Sequence, residues 1–258
     1  VYEIILARAI LTLIISYLTL RKNHTYPWGN NKKFLIARGF FGGMGLIFYF
    51  YTLQHMELAN ALVIHYLSPI FTTIIALLFL KEKVRNLQWA CFALSLCGVI
   101  MVKGFGGVST MDFLAGVAGA AFTGFAYNAI RNMSATEDAN VIIFYHPLIS
   151  LPIALLCFFL FPANLVMPSG QDWIFLLLTG IFTQIGQYFI TRAYQADTAA
   201  RVSSVSYAGI IWGIGFGSIL FGDTYSILVI IGMLVTLAGV FLNLNVNKLS
   251  NVIERFRP

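Results

Sequence analysis

The chain has 258 residues, 59% of them apolar and only 10% charged, with a mean hydropathy of +0.83. A soluble domain carries about 25% charged residues, so this composition excludes a soluble fold. The net charge of +6 falls mostly at the ends of apolar runs, which argues against a nucleic-acid patch.

Apolar runs of about twenty residues match the length a helix needs to cross ~30 Å of hydrocarbon at ~1.5 Å per residue. They predict spans at 3–20, 34–53, 58–80, 85–102, 111–132, 140–161, 172–194, 199–221 and 225–244. The expected class is an all-α polytopic membrane bundle. Connections are short, so consecutive helices are antiparallel neighbours and no soluble domain fits between them. No basic n-region precedes the first span, so no signal peptide is expected after Val1.

The first span holds Arg8, the only fixed charge read well inside a span. It can snorkel outward near Glu3, pair with a helix dipole, or contact an anionic solute group. Arg21, Lys22, Lys32 and Lys33 follow, with Arg38 just inside the second span. Span 58–80 gathers His65, Tyr66, Ser68 and Pro69. Pro69 removes a backbone donor and frees the carbonyl of His65, which predicts a kink near mid-membrane. Lys81, Glu82, Lys83 and Arg85 make the next loop, and Glu82 is placed to cap the helix that follows. Cys91, Cys97 and Cys157 lie within spans, where a thiol acts as a small apolar group with no expected disulfide or metal role.

Span 111–132 carries a stripe of Gly116, Ala120, Thr123 and Tyr127, with Asn128 adjacent and Arg131 at its end. Small residues there also permit close packing. Tyr145-His146-Pro147 repeats the His-Pro pattern near the start of span 140–161, closer to the surface, where interface anchoring is the preferred reading. In span 172–194, Gly180, Gln184, Gln187 and Thr191 recur at helical spacing and continue toward Tyr194. Two amides facing lipid would be costly, so this stripe is expected to face protein or a solvated pathway. Span 199–221 holds Tyr207 and Trp212 together with Gly209, Gly213 and Gly217, a small-xxx-small pattern suited to close packing. Asp223 follows as a second helix cap, and the last span leads to a tail at 246–258.

Fourteen basic residues fall on one side, from Arg21 to Arg257, against Lys103 alone on the other. This asymmetry orients the basic loops and the C-terminus toward the cytoplasm. A multi-pass protein of a bacterial inner membrane is the expected setting.

A shift of 141 residues lays the chain over itself without a gap: Gly39 falls on Gly180 (180 − 39 = 141), Gly45 on Gly186, Gln54 on Gln195, Tyr66 on Tyr207, and Gly98-Val99 on Gly239-Val240. Partner spans are five apart, an odd number, so they cross in opposite directions. The expected units are one repeat at 1–103 and a second at 111–245, in inverted topology. Such repeats commonly build carriers that open alternately to either side. Span 111–132 would pair with positions before Val1, which gives an expectation of ten helices, one of them not in this sequence.

Leu58-Ala59-Asn60-Ala61, Tyr66-Leu67-Ser68-Pro69-Ile70-Phe71, Leu78-Phe79-Leu80-Lys81-Glu82-Lys83 and Gly98-Val99-Ile100-Met101-Val102 resemble the drug/metabolite transporter superfamily in its EamA-type branch. Ala199-Ala200, Phe221-Gly222-Asp223 and Gly239-Val240 match more loosely in the second half. The resemblance implies a ten-helix inverted-repeat carrier whose first helix helps line a central cavity. Ile210, where the first half has Pro69, departs from the pattern.

The residues expected to bind solute are Arg8, His65, Tyr66, Thr123, Tyr127, Gln184, Gln187, Tyr207 and Trp212. Tyr66 and Tyr207 are expected to flank the repeat axis with the solute between them. Aromatic and amide groups suit neutral or zwitterionic metabolites such as amino acids, or a cationic solute held by cation–π contact. A multidrug exporter of the same fold is the main alternative, with a channel or a non-transporting scaffold behind it. A membrane enzyme would need a catalytic constellation at depth, and none is legible, so no catalytic residue, cofactor or metal is expected. All ten acidic residues lie at span ends or in loops, which points to exchange or facilitated movement over strong proton coupling. The expected partners are a small-molecule solute and the lipid bilayer; a homodimer is left open.

Overall fold

In hydrocarbon every backbone N–H and C=O must find its partner within the chain, so long apolar runs become helices. The computed structural model describes residues 2–56, 58–102, 109–160, 168–209, 212, 215, 219 and 227–246. They form α1 (Tyr2–Lys22), α2 (Lys32–His55), α3 (Leu58–His65), α4 (Ser68–Phe79), α5 (Asn86–Val102), α6 (Thr110–Asn132), α7 (Ala139–Leu160), α8 (Asp172–Ala196), α9 (Ala199–Val205) and α10 (Ile227–Leu244). No strand occurs among the described residues, and five of these helices are long and apolar enough to cross a membrane. The chain is an all-α, multi-pass membrane bundle. Gly213, Gly217, Asp223 and Lys103, each given a role in the sequence reading, lie outside the described residues.

The expected single span at 58–80 is two helices. α3 ends at His65, and Ser68 and Pro69 open α4, where the missing proline donor costs nothing. At the matching point of the second half, α9 ends at Val205 and gives way to a 3-10 turn at Ser206–Ala208. No proline stands there, so Pro69 is not the sole cause of the break.

α5 and α10 are related by the 141-residue offset, and they pack on each other through their equivalent residues. The Ser95 hydroxyl donates to the Thr236 carbonyl at 3.4 Å, and the Thr236 hydroxyl donates to the Ser95 carbonyl at 3.4 Å. A Cβ on Gly98 would lie 2.5 Å from the Gly232 carbonyl oxygen; one on Gly239 would lie 2.9 Å from that of Cys91. Ascending α5 from Cys91 to Gly98 therefore means descending α10 from Gly239 to Gly232. The two helices are antiparallel and their contact is self-reciprocal, the relationship an inverted repeat requires.

α6 packs along α2 through rings and small residues. Phe41 stacks on Phe122 and Phe125 at centroid distances of 6.0 and 5.1 Å, and Phe48 on Phe122 at 5.6 Å. Gly45 lies against Thr123 and Gly119, which lets the backbones approach. Each ring pair adds about 0.5–1.5 kcal/mol beyond its buried area. The offset carries Phe41, Gly45 and Phe48 to Phe182, Gly186 and Phe189 on α8. There the two rings are each 66% exposed, and a Cβ added at Gly186 would meet nothing within 4 Å among the described residues beyond its own helix backbone. In a membrane this face meets lipid or another helix.

Polar groups tie the helix ends at the basic side of the bundle. Glu82 accepts from Arg131 Nε at 2.8 Å and from the backbone N–H of Ala199 at 3.0 Å. It therefore caps α9, across the bundle, and not α5 as its place in sequence suggests. Arg131 also donates to the Gln195 carbonyl at 3.3 Å. Glu137 accepts from the N–H groups of Asn30 and Asn31 ahead of α2, and Gln195 Nε2 donates to its carbonyl at 2.9 Å. At the other side Ser109 caps α6, accepting from Asp112 N at 3.2 Å, and Tyr51 donates to the Asp112 carboxylate at 3.2 Å.

Candidate functional site

Six helix segments converge on one cavity of about 210 Å³. α2 contributes the largest share of its wall: Arg38, Gly42, Gly45, Leu46 and Tyr49 recur at helical spacing and share one face. α1 adds Arg8, α3 adds His65, and α6 adds Thr123, Ala126 and Tyr127. α7 and α8 close the site with His146 and Gln187. Leu46 and Gln187 are repeat equivalents, so corresponding faces of the two halves meet here.

Arg38 is the most constrained of these groups. It is only 2% exposed, its Nη2 donates to Gln187 Oε1 at 2.8 Å, and its Nη1 lies 3.2 Å from His146 Nδ1. A guanidinium has only donors, so His146 Nδ1 accepts and the imidazole is neutral with its proton on Nε2. Gly42 creates the space: a Cβ there would collide with Arg38 Nη1 and come within 2.8 Å of His146 Nδ1. Arg38, counted in the sequence reading as one more cytoplasmic charge, belongs to the cavity instead. Arg8 is thus not the only fixed charge within the spans.

Aromatic rings set the remaining walls. Tyr49 packs on His65 with centroids 4.5 Å apart, and Tyr127 stacks on the fully buried Tyr194 at 4.7 Å. Thr123 turns its hydroxyl to the Gly119 carbonyl at 2.9 Å.

Of the nine residues expected at the site, Arg8, His65, Thr123, Tyr127 and Gln187 line this cavity. Four do not. Tyr66 and Tyr207 do meet across the repeat axis, but they stack on one another at 5.8 Å, and Tyr207 is fully buried, so no solute separates them. Gln184 exchanges hydrogen bonds with Ser16 at 3.0 and 3.2 Å, bridging α8 to α1. Trp212 is 68% exposed, away from the cavity. The rest of the α8 stripe does turn inward: Gly180 abuts Leu11, and Thr191 and Tyr194 are buried.

Arg38, Gly42, Tyr49 and His146 were not expected here. The Tyr145-His146-Pro147 reading divides. Tyr145 anchors, donating to the Trp28 carbonyl at 3.0 Å, whereas His146 faces Arg38. The periodic set Arg38, Gly42, Gly45 and Tyr49 was the available signal, since a charge and two glycines on one face mark a non-lipid surface.

The EamA-like transporter family model matches residues 1–104 and again 110–245. This chain belongs to the EamA-like transporter family. Its relatives include the pseudopaline exporter CntI of Pseudomonas aeruginosa, 29% identical over 233 residues that cover 89% of this chain and 81% of that protein. They also include the mouse solute carrier family 35 member G1, 30% identical over 219 residues, covering 79% of this chain and 59% of that protein. A solved crystal structure shares the fold at a TM-score of 0.78 and 19% identity, over 92% of this chain and 86% of that one. This EamA-like chain is a multi-pass membrane transporter, and its family consists of transporters and not enzymes.

Proposed function

We propose that this chain is a secondary carrier of small organic metabolites, working by alternating access, with the cavity between Arg8, Arg38, His65 and Gln187 as its solute site. One observation carries the reading: a polar cavity built from six helix segments in a bundle whose equivalent helices α5 and α10 run antiparallel. A frame of two inverted halves has two similar packings, and a site between them opens to either face in turn. The proposed halves are 1–103 and 111–245. The basic loops and C-terminus are proposed to lie in the cytoplasm, with the inner membrane as the setting.

The solute class is amino-acid-like or related metabolites. A cavity of about 210 Å³ falls below the ~300–1,000 Å³ of pockets that hold drug-sized ligands, which favours a small solute over a multidrug exporter. The relative named as a pseudopaline exporter makes export the first direction to test. No carboxylate lines the cavity among the described residues, which supports exchange or facilitated movement over proton coupling through an acidic residue.

Counterflow in liposomes tests this. The full chain, preloaded on one side with unlabelled amino acids or organic acids, is expected to drive saturable accumulation of the same labelled solute. Ohmic conductance without saturation would replace the carrier with a channel.

A further inference from the structure

Among the described residues, two arginines border the cavity and no carboxylate does. We propose that its solute is a small organic dianion, one anionic group held by Arg8 and the other by Arg38. This rests on the cavity being the solute site, and it narrows small organic metabolites to those with two anionic groups.

The hydrogen-bond inventory points the same way. The two acceptors nearest Arg38, His146 Nδ1 and Gln187 Oε1, are both taken up by its guanidinium. What they still offer a solute is a ring N–H and an amide NH₂, both donors. Tyr49 and Tyr127 add hydroxyls that can donate, whereas the Thr123 hydroxyl proton is already given to the Gly119 carbonyl. The neighbours of Arg38 therefore orient its charge without neutralising it, and its Nε has no hydrogen-bond partner among the described residues. Arg8 comes from a different helix and makes no side-chain hydrogen bond or ion pair among the described residues. An unpaired fixed charge within the membrane costs several kcal/mol unless something arriving from outside compensates it.

Charge decides among solutes. A cation would enter a field of two arginines, so the cation–π reading loses its basis. A neutral molecule leaves both guanidiniums unmatched, and a zwitterion brings its ammonium into the same field. Two carboxylates, or a carboxylate and a phosphate, balance the two guanidiniums and can accept from the His146 ring N–H and the Gln187 amide.

The test uses the purified full chain in liposomes preloaded with succinate, citrate, 3-phosphoglycerate, glutamine or putrescine, with the labelled counterpart outside. Thermal unfolding is measured with each at constant ionic strength. Expected are saturable counterflow and a raised unfolding temperature for succinate, citrate or 3-phosphoglycerate, and neither for glutamine or putrescine. The three acids separate carboxylate pairs from a mixed carboxylate–phosphate solute. Arg8→Gln and Arg38→Gln should each weaken the apparent affinity about tenfold to a hundredfold. Arg38→Lys, which keeps the charge without the fork, should retain part of it. Counterflow of glutamine or putrescine but of none of the acids would overturn the dianion and leave the carrier standing. Stabilisation by inorganic phosphate alone would likewise overturn it, and conductance without counterflow would overturn both.

Discussion

Ser95 and Thr236 occupy the same position in the two halves of the chain and hydrogen-bond to each other's backbone carbonyl, 3.4 Å in either direction. The contact needs two glycines to exist. Gly98 faces Thr236 and Gly232, while Gly239 faces Ser95 and Cys91, so each supplies for its neighbour what the other supplies in return. A methyl at either point meets backbone atoms and cannot be relieved by turning a side chain. Gly98→Ala and Gly239→Ala should therefore destabilise by similar amounts, about 1–3 kcal/mol each, as overpacking does. Thermal unfolding in detergent checks this. One variant falling while the other holds would show that the contact is not reciprocal.

Gly42 makes a different kind of space. Its missing side chain is filled by the Arg38 guanidinium, locked between His146 and Gln187. In Gly42→Ala the guanidinium has to move, and both of its hydrogen bonds change with it. Loss of one hydrogen bond to a charged group is worth about 1.5–3 kcal/mol, so solute affinity should fall about tenfold or more. Insertion and the α2–α6 packing, carried by Phe41, Gly45 and Phe48, should persist. Uptake kinetics beside an unfolding curve separate the two effects. Unaltered affinity would show that the position of Arg38 is immaterial to binding.

The helical class and the family resemblance were legible because hydrocarbon leaves the backbone only one solution and the apolar runs have its length. The break after His65 was legible only in part. Pro69 marked it in the first half, yet α9 breaks at the equivalent point without a proline. The site was half hidden for a reason the structure makes clear. Internal identity between repeats reports the shared frame, so it selected Tyr66 and Tyr207, which pack on each other. The cavity's chemistry is asymmetric: Arg38 corresponds to Thr179 and Arg8 to Ile149, and neither pair survives a search for matches. Arg38 was further masked by its place near Lys32 and Lys33, where it counted as another surface charge.

Gln184 and Gln187 look equivalent in sequence and differ in structure. Gln184 is satisfied by Ser16, and Gln187 by the Arg38 guanidinium at the cavity wall. Gln184→Leu removes an interhelical hydrogen bond, worth about 0.6 kcal/mol on average in membranes, and should leave uptake near the parent level. Gln187→Leu releases Arg38 and should abolish most uptake with the fold retained. Paired initial-rate measurements decide it. Equal losses from both variants would mean that α8 acts as a packed helix and its cavity contact is incidental.

Glu82 joins three elements at the basic end of the bundle, through Arg131 on α6 and the N-terminus of α9, while Arg131 reaches the last turn of α8. Just inside this cluster lies the Tyr127–Tyr194 stack, whose first ring borders the cavity. In the proposed alternating-access cycle, the cluster ties together helices that separate when the cavity opens on this side. Its side chains are 12% and 25% exposed, which places the pair between a surface ion pair and a buried one. Glu82→Gln keeps the shape and removes the charge, at a cost of about 1–2 kcal/mol to the closed arrangement. At 1.4 kcal/mol the open population rises about tenfold. A cysteine placed at Ala126, in a background with Cys91, Cys97 and Cys157 replaced, should then react about tenfold faster with a hydrophilic maleimide applied from the basic side. An unchanged rate would mean that opening does not pass through the Glu82–Arg131 pair.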